Sequence, residues 1–312
     1  MESKEKNFVS AVIYVHNAEE RIGRFLRSII EVLEQNFEQS EIICVNDASS
    51  DRSADRIKQV SDEARSVSIS MVNLSGFHGL ELAMNAGVHL TIGDFVFEFD
   101  HSFLDFDPAM VMEIYRRSLQ GSDIVSASAK RKEKFTSILF YKVFERYSNS
   151  SFQMSTESFR ILSRRAVNRI SSMHKTTPYR KAVYANCGLK TDHLRYTPVA
   201  PVPETMARSE KKYRSKLAVD SLILFTEVGY RFAKGMTILM VLLTIFMLFY
   251  SLFIYASGNP VAGWTTTILF LSVAFFGLFV VLTIMVKYLQ LMIDLVFKRR
   301  QYNFDSIEKL TR

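Results

Sequence analysis

From Gly235 to Val286 the chain carries no charged residue, a run of 52 positions in a protein whose other parts hold all its Lys, Arg, Asp and Glu. A buried helix in a water-soluble core needs far less, whereas about 20 apolar residues suffice to cross a hydrocarbon layer. Met236–Tyr255 supplies one such run. Ser257-Gly258-Asn259-Pro260 interrupts it, and Trp264–Val286 supplies a second. Two helices joined by a short loop satisfy their own backbone groups in lipid, so the pattern predicts a transmembrane hairpin, about 236–256 and 264–286. Arg231 and Lys234 precede it, Lys287 and Lys298–Arg300 follow it, and the connecting loop is uncharged. The positive-inside rule then puts both ends, and the large N-terminal part, on the cytoplasmic side of the cell membrane. Met1–Asn7 is polar with no apolar run behind it, so no secretory signal is expected.

Residues 1–215 read as one cytoplasmic domain, 216–234 as an interfacial amphipathic helix, 235–290 as the membrane segment and 291–312 as a basic tail. In the first part, apolar runs at 8–15, 41–45, 67–74 and 95–99 alternate with segments of helical spacing, beginning with Ile22, Phe25, Leu26, Ile29, Ile30 and Leu33. That alternation predicts an α/β domain, a mostly parallel Rossmann-like sheet with helices on both faces. Ligands of such sheets sit beyond the strand C-termini. Here those tips are His16-Asn17, Asn46-Asp47 and Asp100-His101, all polar or acidic.

Several chemistries are excluded. The glycine loops of dinucleotide and P-loop sites are missing, as are HExxH, CxxC and GxSxG. Two cysteines, Cys44 and Cys187, build neither a disulfide framework nor a zinc site. An acid-tipped sheet without a glycine cradle suits a divalent metal that neutralises a diphosphate. The net charge of +7 suits anionic lipid and phosphate-bearing substrates without requiring nucleic acid.

Seven segments in order resemble the family-2 glycosyltransferases with the GT-A fold, most closely the membrane enzymes that glycosylate polyprenyl or dolichyl phosphate. Val12–Glu20 resembles the opening VIPVYNEE, and Val45–Asp51 resembles VDDGSTD. Gly79–Asp94 resembles the G-x(6)-AG-x(5)-GD block, and Phe99–Ser102 occupies the place of the DxD strand end. Ser158–Arg165 resembles DFRLLDRR, Lys212-Tyr213 an SKY motif, and Arg299–Tyr302 a post-membrane RPxY. The resemblance implies an inverting transfer of a sugar from a nucleotide-diphosphate donor, a UDP-sugar, to polyprenyl phosphate. The alternatives are extension of a lipid-linked oligosaccharide or surface polysaccharide, and a catalytically weak scaffold.

It further implies that Asn17, Glu19 and Asp47 line the nucleotide site, with Asp47 accepting from the base; an N-cap for the next helix is the competing role of Asp47. Asp100 would hold Mg²⁺ or Mn²⁺. Ser102 replaces the second Asp of the family pattern, and Glu98, two residues before Asp100 on the same strand face, completes the metal set with Asp105 nearby. Glu157 stands next to the position of the family's catalytic carboxylate, which is Ser158 here. Lys130, Arg131, Lys134, Ser137 and Arg160 would grip the lipid phosphate, the first four on a basic amphipathic stretch that can lie on a membrane. The expected partners are the nucleotide sugar, the lipid-linked acceptor, the membrane and a homo-oligomeric copy.

Overall fold

The computed structural model describes residues 3–130, 157–172, 180–200, 228–256, 263–297 and 302–311. It divides into two units, the sheet-bearing part with residues 300–312, and a part containing residues 218–299.

The first unit is built on β1 (Val9–Val15), α1 (Glu19–Asn36), β2 (Ser40–Asn46), α2 (Ser53–Ser61), β3 (Val67–Leu74), α3 (Leu80–Leu90) and β4 (Phe95–Phe99). After these come α4 (Ala109–Leu119), β5 (Ile124–Ala129), β6 (Phe159–Ser163), α5 (Arg164–Ser172), α6 (Arg180–Asn186) and β7 (Thr191–Tyr196). With β8 (Phe304–Lys309) they form one sheet of order β7-β5-β6-β4-β1-β2-β3-β8. The pairs β1–β2, β1–β4, β2–β3 and β5–β7 are parallel; β6 runs antiparallel to β4 and β5, and β8 antiparallel to β3.

The central strands are apolar on both faces because both faces are covered. On one side Ile22, Phe25, Leu26, Ile29 and Leu33 of α1 bury against Val9, Ala11 and Ile13. On the other, Ala83, Met84 and Ala86 of α3 and Val183 of α6 pack on Val12, Val45, Val96 and Leu162. The chain winds β1→β2→β3 on one side of β1, then returns through α3 to place β4 on the other. The gap between the tips of β1 and β4 is therefore the topological switch point.

Two features of the glycine block are explained by close approach. Gly87 of α3 lies against Val12 and Val45, with no space for a side chain. At Gly93 a Cβ would meet Ser10 N at 2.7 Å and Phe8 O at 2.9 Å, both backbone. Asp94 Oδ2 accepts the Phe8 N–H at 2.9 Å, and Gly93 O accepts Arg164 Nε at 2.8 Å.

The segment read as a basic tail does otherwise. Residues 304–309 form an edge strand on β3, secured by Ile69 N donating to Thr311 Oγ1 (2.7 Å), Asn73 Nδ2 to Ser306 Oγ (2.9 Å) and a Lys58–Glu308 ion pair (2.7 Å). Alternating exposure along these six residues (exposed at Phe304, Asp305, Ile307 and Lys309) hid the strand, since an edge with one wet face has a weak apolar signal.

The second unit contains two long helices, α7 (Val228–Ala256) and α8 (Trp264–Phe297). The first is already helical at Val228, inside the segment read as interfacial, and the second continues past the expected end at 286. They pack on each other: Gly277 of α8 admits Met240 of α7, whose Sδ lies 2.8 Å from where a Cβ would stand. Among the described residues no helix is long and apolar enough to cross a membrane. Large apolar side chains are nonetheless exposed on both helices, including Phe246, Phe249 and Phe253 on α7 and Phe276 and Phe279 on α8. Such an apolar surface marks an interaction face.

Candidate active site at the strand tips

Asp47 follows β2 and Asp100 follows β4, the two strands that flank β1, so both acids lie at the C-terminal edge of the parallel strands. What each carboxylate does there differs.

Asp47 is fully buried. Its Oδ1 accepts His78 N at 2.7 Å, and its Oδ2 accepts Gly79 N at 2.8 Å and the Tyr14 hydroxyl at 3.1 Å. It thereby fixes the turn before α3, where Gly79 has φ +83°. It therefore secures the turn that leads into α3 rather than capping the helix that follows it in sequence, α2.

Asn17 and Glu19 join the first two strand–helix loops. Asn17 Oδ1 accepts Ser50 N at 2.9 Å and Glu19 Oε2 accepts Arg52 N at 2.9 Å. In return Ala18 N donates to Ser53 Oγ and Glu19 N to Asp51 Oδ2. Asn17 and Ala48 adopt positive φ, +45° and +48°. For Ala48 that left-handed conformation costs about 1–2 kcal/mol, stored at a strand tip facing the ligand edge.

Beneath Asp100 lies a buried ionic cluster. Glu98 on β4 pairs in register with Arg160 on β6, so both side chains leave the same sheet face. Arg160 is fully buried and spends each nitrogen on a different carboxylate: Nη1 on Glu98 Oε2 (2.7 Å), Nη2 on Asp100 Oδ2 (2.7 Å), Nε on Glu157 Oε2 (3.1 Å). Arg180, at the start of α6, donates Nη2 to Asp100 Oδ1 (2.6 Å) and Nε to Glu81 Oε2 (3.0 Å). Its Nη1 lies 2.9 Å from Glu98 Oε2 but without hydrogen-bond alignment. The Tyr184 hydroxyl donates to Glu98 Oε1 at 2.8 Å.

Burial opposes ionisation of Asp100, but Arg160, Arg180 and Lys181 outweigh it and hold its carboxyl well below the usual carboxylate range. Burial likewise favours neutral guanidines, yet the surrounding carboxylates hold Arg160 and Arg180 charged. Burial and then Glu98 push the Tyr184 hydroxyl well above its ordinary value.

This arrangement changes the expected metal set. Glu98 is enclosed by Arg160, Arg180 and Tyr184, and both Asp100 oxygens are taken by guanidinium groups. Ser102, also buried, accepts Arg21 Nε at 3.2 Å. Among the described residues no group of three or more His, Cys, Asp or Glu side chains is arranged to hold a metal ion. As placed, Asp100, Glu98 and Ser102 do not fit one, because their oxygens already serve cations of the chain itself.

Arg160, read as a lipid-phosphate ligand, lies inside the protein instead, where three carboxylates consume it. Glu157 is buried with it. Ser158 Oγ is 2.7 Å from the Tyr196 hydroxyl, which reaches Asp105 Oδ1 at 3.0 Å. Lys130 is exposed at the end of β5; Arg131, Lys134 and Ser137 lie outside the described residues. Sequence reasoning missed Arg21, Glu81, Arg180 and Tyr184. Two carboxylates on one buried strand face, Glu98 and Asp100, were the available signal that buried cations had to exist.

The family model for glycosyl transferase family 2 matches residues 10–171, and the chain belongs to that family. Among curated relatives, an uncharacterized glycosyltransferase of Synechocystis is 32% identical over 189 residues, 58% of this chain and 58% of the relative. The alignment thus spans little more than half of that relative's length. One from Bacillus subtilis is 24% identical over 83% of this chain and 81% of the relative. A prophage bactoprenol glucosyl transferase homolog of Escherichia coli is 28% identical over 60% and 62%. Among solved structures, glucosyl-3-phosphoglycerate synthase from Mycobacterium tuberculosis, in complex with Mn²⁺, UDP and phosphoglyceric acid, has TM-score 0.53 and 15% identity, covering 70% of this chain and 78% of that one. That likeness shows the GT-A fold.

Proposed function

We propose that the protein is an inverting glycosyltransferase that moves a sugar from a nucleotide-diphosphate donor, a UDP-sugar, to polyprenyl phosphate at the cytoplasmic membrane face. The observation that carries this reading is the convergence of Asn17, Glu19, Asp47 and Asp100 on one edge of the sheet, around the switch point where such folds take ligands. The bactoprenol glucosyl transferase names of relatives from Escherichia coli and Shigella phages support the acceptor class.

In this reading an acceptor phosphate oxygen forms a bond to the anomeric carbon while the bond from that carbon to the diphosphate oxygen breaks. The nucleotide diphosphate leaves with the electron pair, and the configuration inverts. A phosphate acceptor is already ionised near neutral pH, so no strong general base is required. Glu157 then serves through Arg160, holding the floor on which Asp100 stands, rather than taking a proton. Asp47 serves by holding the 76–79 turn against the donor site. Lys130, Arg131, Lys134 and Ser137 receive the lipid phosphate, and the exposed apolar faces of α7 and α8 lie against lipid.

The test is to incubate the purified full chain with labelled nucleotide sugars and undecaprenyl phosphate. Label passing into the organic phase is expected with one donor. No extractable product with any donor overturns the reading, and product formed only on a lipid-linked saccharide moves the acceptor one step later.

A further inference from the structure

The segment that follows the second long helix returns to the ligand edge of the sheet. β8 pairs antiparallel with β3, and its register shifts between Asn73 and Leu74: Asn73 lies opposite Ser306 and Leu74 opposite Phe304, so Asp305 is an extra residue. A bulge of this kind re-aims the strand that carries it. In an unbroken ladder Phe304 would stand opposite Ser75; with the extra residue, Asn303 does. Asn303 O accepts Ser75 N at 3.0 Å, and Asn303 N donates to His78 Nε2 at 3.4 Å. The backbone of one residue thereby clasps both ends of the turn that follows β3.

That turn reaches the tips of β1 and β2. Asp47, after β2, accepts His78 N and Gly79 N, and the Phe77 ring centre lies 4.7 Å from that of His16, after β1. The His78 ring is the link between clasp and turn. Its Nδ1 lies 2.5 Å from Gly76 O. A carbonyl only accepts, so Nδ1 carries the proton and Nε2 is left as the acceptor for Asn303 N. Resting on the donor reading above, we propose that His78 is a positioning residue for the nucleotide donor, which transmits the Asn303 clasp to the 75–79 turn and so holds that turn in its donor-binding shape. Asn303 lies far beyond the family match, which ends at residue 171. The donor site is then completed by a part of the chain that the matched region does not contain.

The experiment is calorimetric titration of UDP into the full chain in detergent, in buffer with Mn²⁺. His78→Asn keeps a donor for Gly76 O but is too short to reach Asn303, and should weaken UDP by about threefold or more. His78→Gln, whose longer amide presents an acceptor near the place of Nε2, should recover most of that loss. Asn303→Pro removes the N–H and should weaken UDP in the same direction. Combined with His78→Asn it should lose no more than either change alone, because both remove one contact. In the wild-type chain, where folding is not in question, UDP should slow exchange of the Asn303 amide proton, since coupling between clasp and ligand is reciprocal. Normal UDP affinity in His78→Asn, no recovery in His78→Gln or losses that multiply in the double variant overturn the inference and leave the donor reading intact. So does an Asn303 amide that exchanges equally fast with and without UDP. Should the wild-type chain bind neither UDP nor GDP, the donor reading itself fails.

Discussion

Arg160 Nη2 and Asp100 Oδ2 stand 2.7 Å apart, and the same guanidinium reaches Glu98 and Glu157 through its other two nitrogens. One fully buried side chain thus joins β4, β6 and the segment entering β6. A lysine ammonium has three donors but on a single nitrogen, so it cannot span the three carboxylates that the separate guanidinium nitrogens reach. Arg160→Lys is expected to lose about 3 kcal/mol or more of stability, read from the urea midpoint, because it strands buried carboxylates. A change under about 1 kcal/mol would mean that the cluster is wetter than its geometry implies.

The depressed Asp100 carboxyl makes stability depend on pH. A folded-state value below the unfolded one, near ~3.9, contributes stability that is fully present above that pH and is lost as pH falls toward the folded value. Thermal melts of the wild-type chain should therefore fall below about pH 4. Asp100→Asn should be less stable at pH 7 and show a shallower fall in acid; parallel curves would remove Asp100 as the cause.

Gly93→Ala would drive a methyl group into the backbone of Phe8 and Ser10, which cannot move without breaking the β1–β4 ladder. A loss of about 1–3 kcal/mol in chemical denaturation is expected.

Cys44 is fully buried in β2, and burial alone pushes its thiol up to about 12. Neither it nor the buried Cys187 should react with a thiol reagent in the native protein, and labelling should rise only with denaturant. Fast labelling of two thiols at neutral pH would contradict the packing described for both.

Removing residues 302–311 should expose β3 as a bare edge and speed exchange of its amide protons, since β8 supplies the ladder partners of Ser70–Leu74. Exchange at β3 unchanged by the deletion would show that the edge is protected in another way.

The central strands and helices were legible because apolar runs of four to eight residues and a 3.6-residue spacing are strong signals in this chain, as in Phe8–Val15 and Ile22–Leu33. The strand-tip acids were legible for the same reason, since a polar residue ending an apolar run is conspicuous. Their partners were not. Arg180 and Glu81 lie on helices 99 residues apart, and only the fold brings their charges to 3.0 Å. Asp47 reads as the cap of the helix that follows it, yet long-range geometry hands its oxygens to His78 and Gly79. Local pattern specifies which residues face inward; it does not specify which buried charges meet.

Because β8 is translated after both long helices, the sheet that begins with β1 receives this edge strand only after the whole helical pair has been synthesised. Until then β3 presents an open row of amide and carbonyl groups, so synthesis of the helical hairpin is an interval in which the nascent domain is exposed to pairing with the wrong strand.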